Sequence, residues 1–177
     1  IIKNAHKVIV TDAIIRDNVF EFLKRRPAPV MIRNTYQNFE GVPYHRVRDE
    51  QEFYNMLLQH VEDDEYFLFG CDSCTIATKY YYDILQHHPE QKDKMILITS
   101  KTKFKVRNAS EQLKNKFVCY SPSITTATNF SIETPQDVFI YIKGGTLTSD
   151  DSFQQATRTR NIRNHYYYCE VEQRDAT

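Results

Sequence analysis

Near the end of the chain Gln154 is followed at +4 and +6 by Arg158 and Arg160, within Phe153-Gln154-Gln155-Ala156-Thr157-Arg158-Thr159-Arg160-Asn161. Arg keeps its charge at every ordinary pH, and its planar fork of donors fits a phosphate bidentately. If the segment is helical, two Arg at one helix end with a Gln one turn earlier have the make-up of a phosphate-charge sensor. The same spacing fits a solvated, Arg-bearing helix face. The elements around the segment must decide between the two. A second candidate is Cys71-Asp72-Ser73-Cys74, a lone CxxC, with Cys119 and Cys169 far from it. Zinc would need a second pair at ligand spacing, and there is no second CxxC and no HxxxH. No metal site is expected. A pair between a strand and a helix could do redox work, but structural cysteines in a reducing compartment are the favoured reading.

The chain has 177 residues, enough for one ordinary domain with its own core. It is 41% hydrophobic, 13% aromatic and 26% charged, a globular composition. Lys+Arg and Asp+Glu are both 23, so net charge points to no class of partner. The distribution says more. Residues 49–65 carry seven acids and no Lys or Arg, whereas residues 101–116 carry six bases against Glu111 alone. A basic stripe of that kind is either a nucleic-acid footprint or a solvated loop. No run approaches the ~18 apolar residues of a membrane span. Ile1-Ile2-Lys3-Asn4 resembles no signal peptide and lacks an initiator Met. The expectation is a fragment of a longer cytosolic or nuclear polypeptide that is neither secreted nor bound to a membrane.

Strands and helices alternate. Lys7–Thr11 reads as a buried strand, Asp17 as the cap of a helix with Val19, Phe22 and Leu23 inward, and Val30–Ile32 as a second strand. Tyr44–Val47 is a third. Asp49 opens a helix with Phe53, Leu57 and Val61 at i, i+4 and i+8. Tyr66–Cys71 is a continuous apolar strand, and a helix with Ile76, Tyr80 and Ile84 on one face follows it. Met95–Ile98, Phe117–Tyr120, Asp137–Ile142 and His165–Val171 are further strands. A short helix lies around Ser110–Leu113. Ser149 or Asp150 is expected to cap a helix that carries Gln154 and Arg158. The Tyr80–Tyr82 and Tyr166–Tyr168 triples read as core and sheet packing, with base stacking as the alternative.

Near-continuous apolar strands separated by helices predict a mostly parallel α/β sheet covered on both faces. Ligands of such sheets bind beyond the carboxyl ends of the strands. Cys71-Asp72-Ser73, Thr99-Ser100-Lys101, Ser121-Pro122-Ser123 and Lys143-Gly144-Gly145 all follow strands. Hydroxyls, backbone N–H groups and Lys should therefore gather along one edge, where they could hold phosphates. The chain contains no GxxxxGK[ST]; Gly occurs only at 41, 70, 144 and 145. Alone, it should not bind and hydrolyse a nucleotide.

The order and spacing of Val8–Ala13, Phe69–Ser73, Ile98–Thr102, Tyr120–Phe130 and Gln154–Arg160 resemble the second RecA-like lobe of superfamily 2 helicases. The nearest likeness is to the herpesvirus-type replication origin-binding helicases. Val10-Thr11-Asp12-Ala13 looks like the family's third motif, at the end of its first lobe. Tyr120-Ser121-Pro122-Ser123-Ile124-Thr125-Thr126 looks like the fifth, and Gln154-x-x-x-Arg158-x-Arg160-Asn161 like the sixth. The fifth motif usually continues with Gly, an apolar residue and Asp, where this chain has Ala127, Thr128 and Asn129. Ala127 reaches positive φ less cheaply than Gly, and Asn129 gives up a charge.

The resemblance implies a RecA-like, P-loop-type lobe that lacks its own P-loop. Residues 1–34 would be the end of the first helicase lobe and a linker, and residues 35–177 the second lobe. The implied protein is an ATP-dependent DNA helicase of viral replication, of origin-binding or helicase-primase type, acting in the host cytoplasm or nucleus. ATP and Mg²⁺ would be held mainly by the first lobe, a partner in cis. Arg158 would be the main arginine finger, with Arg160 supporting it and Gln154 beside the same phosphate or its attacking water; such fingers are worth ~10³–10⁵ in rate. Ser73, Ser100, Lys101, Thr125 and Thr126 would contact the backbone of single-stranded DNA, and Thr11 and Asp12 would couple the lobes. Other replication proteins are further implied partners. The rival implication, which the Ala127 and Asn129 departures fit, is a non-catalytic RecA-like module for nucleic-acid or protein docking.

Overall fold

A computed structural model describes residues 39–102, 104–122, 133–145 and 147–170, with Val19, Glu21, Lys24 and Val30 as isolated positions. The chain divides into two units, residues 1–37 and 38–177, and the second holds every strand and helix described. The elements expected over residues 7–32 fall, isolated positions apart, outside the described residues. So do Thr11, Asp12, Thr125, Thr126, Ala127 and Asn129.

In chain order the elements are β1 (Tyr44–Val47), α1 (Glu50–Glu62), β2 (Phe67–Cys71), α2 (Cys74–His87), a 3₁₀ turn (Pro89–Gln91), β3 (Met95–Ile98), α3 (Ala109–Gln112), β4 (Phe117–Tyr120), β5 (Gln136–Ile142), α4 (Ser149–Ala156) and β6 (Ile162–Cys169). The strands form one six-stranded sheet in the order β1-β6-β5-β2-β4-β3. Every pairing is parallel. The fold is α/β, as the apolar strands predict, and is compatible with a RecA-like lobe.

Period-2 alternation along the strands builds two cores. Phe67, Phe69 and Cys71 of β2, with Phe117, Phe139 and Tyr141, meet Phe53, Leu57 and Val61 of α1 and Tyr80 and Ile84 of α2. Leu68, Val118, Val138 and Ile140 face the other way and pack with Ala109 and Leu113 near α3, Ala156 of α4 and Ile162. The four-residue apolar repeat of α1 is thus what puts its three large side chains on one face and out of water. The tyrosine triples are packing elements in large part: Tyr80 is buried, Tyr166 and Tyr168 pack on the first core and Tyr167 on the second. Tyr82 is 60% exposed.

Caps set the helix starts. The Asp49 carboxylate accepts from the Glu52 N–H at 2.8 Å, and the Ser73 hydroxyl from the Ile76 N–H at 3.4 Å. The helix that carries Gln154 departs from expectation at both ends. Its cap is Thr148, not Ser149 or Asp150. The Asp151 N–H donates to Thr148 Oγ1 at 3.2 Å, and the Thr148 N–H donates back to the Asp151 carboxylate at 3.3 Å, a reciprocal capping box. The helix ends at Ala156, so Arg158 and Arg160 lie beyond it, on the turn that leads into β6. β6 begins at Ile162, three residues before the expected start at His165.

Candidate nucleic-acid interface

Because all six strands run the same way, their carboxyl ends share one edge. Ser73 follows β2 and Ser100-Lys101 follows β3. These two strands flank β4, so their ends lie ~10 Å apart at ~4.8 Å per strand. The fold thus brings Ser73, Ser100 and Lys101 to one edge. Ser73 is half-buried because its hydroxyl caps α2, whereas Ser100 and Lys101 are exposed. The turn holding them is locked by side chains. Thr99 Oγ1 accepts from the Lys101 N–H at 3.2 Å, and Thr102 Oγ1 accepts from the Thr99 N–H at 2.9 Å while donating to the Thr99 carbonyl at 3.0 Å.

One expected phosphate ligand at this edge is already engaged. The backbone N–H groups of Lys143, Gly144 and Gly145 donate to the Asp72 carboxylate at 2.8, 2.9 and 3.3 Å. Gly144 has φ +82°, which an L side chain adopts at a cost, so the residue type fits the turn. These N–H groups do form an anion-binding nest, and the anion is the protein's own. Asp72 is 5% exposed and ties the end of β2 to the end of β5. The chain passes from one side of β2 to the other between β4 and β5, so β2/β5 is the sheet's switch point, where α/β sheets usually open a crevice. Here Asp72 clips that crevice shut. The β2–β4–β3 side of the edge is the part that this clip does not close.

Gln154, Arg158 and Arg160 come from a different part of the chain than these strand-end turns. They lie on the return path from β5, and Arg160 precedes Ile162, whose partner is Gln136 at the amino end of β5. Gln154 and Arg158 are half-buried and Arg160 is exposed. A hydrogen bond joins this segment to the strand-end residues. The Tyr120 hydroxyl, at the carboxyl end of β4, donates to the Gln155 carbonyl at 2.9 Å. Its path crosses Gly70 of β2: a Cβ there would stand 2.9 Å from Tyr120 Cζ and from its hydroxyl oxygen. Burial pushes the Tyr120 phenol well above its ordinary range, while the charge of Arg158 pulls it the other way.

Burial also pushes the Cys71 thiol up to about 12. A protonated thiol of that kind is no nucleophile or redox centre at neutral pH, and Cys71 serves as a core residue that accepts a weak bond from the Ser73 N–H.

A second polar centre was not foreseen from the sequence. Asp137 is 2% exposed. Its carboxylate accepts from His60 Nε2 at 2.8 Å, Arg163 Nε at 2.9 Å and Nη2 at 2.8 Å, and Asn164 Nδ2 at 2.9 Å. His60 Nδ1 lies 2.8 Å from the Met56 carbonyl. Both partners of the imidazole are acceptors, an arrangement that favours the doubly protonated, cationic ring in which both nitrogens donate. Burial opposes that charge; the bonds to Asp137 and Met56 outweigh it and raise the pKa. Burial likewise opposes the Asp137 charge, but its donors win and hold the carboxyl well below its usual range. His60, Glu65 and Asp137 present ligand atoms within 4.8 Å of one another, the one such group among the described residues. Arg163 Nη2 bonds both carboxylates, at 2.6 and 2.8 Å. The Arg163 guanidinium is thus the cation that bridges two of these three groups.

No helix among the described residues is long and apolar enough to cross a membrane. No protein-family model matches the chain, and no solved structure matches it. The chain is 24% identical, over 177 residues, to a protein of Acanthamoeba polyphaga mimivirus provisionally named a replication origin-binding protein. The alignment covers 95% of this chain and 21% of that protein, so the chain spans about a fifth of its relative's length. This similarity supports a relationship to viral replication origin-binding proteins.

Proposed function

We propose that the chain is the second RecA-like lobe of an ATP-dependent DNA helicase that acts in viral replication. The observation that carries the reading is the all-parallel sheet whose carboxyl edge collects Ser73, Ser100 and Lys101, in a chain similar along nearly its whole length to a viral origin-binding protein. In this reading that edge holds the backbone of one DNA strand. Such contacts are independent of sequence and weaken with salt. Thr125 and Thr126, which follow β4, belong to the same set by their place in the sequence.

Arg158 and Arg160 serve a different partner. They meet a nucleotide held by the first lobe, with Arg158 as the main finger, Arg160 supporting it and Gln154 beside the transferred phosphate. ATP and Mg²⁺ supply the phosphoryl chemistry. This chain supplies cationic groups, which fit a phosphate rather than a metal ion. Thr11 and Asp12 belong to the link between lobes.

The test is the ATPase activity of the protein that carries both lobes, with and without single-stranded DNA. Stimulation by DNA is expected. Turnover that is absent, or indifferent to DNA, would favour the non-catalytic docking module that the Ala127 and Asn129 departures fit.

A further inference from the structure

Bases recur every second residue after β3: Lys101, Lys103, Lys105 and Arg107. Among the described residues of this run, burial alternates in step. Lys105 and Arg107 are exposed, whereas Phe104 and Val106 are partly buried against the second core. A two-residue period is the signature of extended backbone with one face inward, at ~6.6 Å for each pair of residues. The inward apolar pair anchors the segment, and Lys105 and Arg107, the outward positions described beside it, are cationic.

The segment is also braced. At its start the Thr99–Thr102 bonds fix the turn under Lys101. Further on, the Gln112 side chain acts like a peptide group: its Oε1 accepts from the Arg107 N–H at 2.8 Å and its Nε2 donates to the Lys105 carbonyl at 3.3 Å. Two cations elsewhere among the described residues are spent internally. Lys94 pairs with Asp64 at 2.6 Å, and Arg163 with Glu65 and Asp137. Lys101, Lys105 and Arg107 make no ion pair among the described residues, and Glu111 is the one acid between residues 101 and 116.

We propose that Lys101, Lys105 and Arg107 form a rail for the phosphodiester backbone of a single nucleic-acid strand, continuing outward from the Ser73–Ser100–Lys101 edge. The proposal rests on the DNA-binding reading and extends it to Lys105 and Arg107. Exposed cations on an anchored segment match a polymer with one charge per link. The apolar partners of the row are turned to the core, so the segment offers no wedge for a lipid surface or for base steps. Binding is therefore by charge alone and blind to sequence.

The test is fluorescence anisotropy of the 177-residue chain with labelled oligo-dT and a mixed-sequence single strand, over a salt series. The expected result is equal affinity for both oligonucleotides. The plot of log affinity against log salt should be shallower in Lys105→Gln/Arg107→Gln by about 0.7 for each contact removed. Lys92→Gln, an exposed cation just before β3 and thus at the opposite edge of the sheet, should leave the slope unchanged. Circular dichroism and the urea midpoint of the double variant should match wild type, because both side chains are exposed. A wild-type slope retained in the double variant would overturn the rail and leave the DNA-binding reading standing. No binding by the wild-type chain would overturn both. Binding to phosphatidylserine vesicles in place of either oligonucleotide would overturn the rail in favour of a membrane surface.

Discussion

The Tyr120 hydroxyl bonds the Gln155 carbonyl across a β2 strand that is bare at Gly70. The end of β4 is thereby fastened to the last turn of α4, one residue from Gln154 and three from Arg158. In the proposed motor these are the DNA-contacting and nucleotide-sensing parts of one lobe, and Tyr120 is the hard link between them. Tyr120→Phe keeps the ring and leaves the Gln155 carbonyl with the Arg158 N–H as its donor, at 3.3 Å, so the loss should be about 0.5–1.5 kcal/mol. Gly70→Ala forces a Cβ against the ring and against Ile140 Cδ1, 3.1 Å away, and should cost about 1–3 kcal/mol. Urea unfolding of each variant checks both. A combined loss smaller than the sum would show that the two changes act on one contact.

Asp72 holds three backbone N–H groups, so replacing it leaves all three without their acceptor. Asp72→Ala should lower stability by roughly 3 kcal/mol, since bonds to a charged group carry about 1.5–3 kcal/mol each before relaxation. Asp72→Asn keeps an accepting oxygen and should lose less. Hydrogen exchange at Lys143, Gly144 and Gly145 reads the clip directly, with protection falling in the Ala variant first.

A half-buried histidine and a buried one should pull the pH dependence of stability in opposite directions. His60 has a raised pKa in the fold. Its contribution is complete below the ordinary value of about 6.5 and is lost as pH climbs through the folded pKa. His165 is 1% exposed, stacks on Tyr44 at 4.4 Å between ring centroids, and has neither ring nitrogen hydrogen-bonded. Burial lowers its pKa to about 4. The unfolded chain takes up that proton first, so stability falls as pH drops from about 6.5 towards about 4. Asp137, held low, adds to the loss at the acid end as its pairing with His60 and Arg163 is titrated away. Urea midpoints from about pH 4 to about pH 9 should show His60→Gln closing on wild type at high pH. His165→Phe should flatten the acid limb.

The strands and helices were legible because their cause is local. The unbroken apolar run Phe67–Cys71 can sit only in a sheet covered on both faces, and Phe53, Leu57 and Val61 recur at one helical turn. Boundaries set by polar residues were harder. Thr148, Ser149 and Asp150 are all competent caps, and the reciprocal bond from Asp151 selects Thr148. Arg163 and Asn164 precede the expected strand start at His165, yet both stand in β6, where their side chains bond Asp137. The Asp72 clip and the His60–Asp137 bond join residues 71 to 77 apart in sequence. No spacing rule reaches that far; only the strand order brings those partners together. The run of alternating bases at 101–107 was visible as charge, and its inward apolar partners take their meaning from the second core.

The central claim is that this lobe lends its arginines to a nucleotide bound elsewhere. The most direct measurement compares wild type with Arg158→Ala in the protein that carries both lobes, reading DNA-stimulated ATP turnover alongside nucleotide affinity. The account predicts turnover lowered by ~10³-fold or more, with affinity nearly unchanged. Unchanged turnover in Arg158→Ala would contradict it.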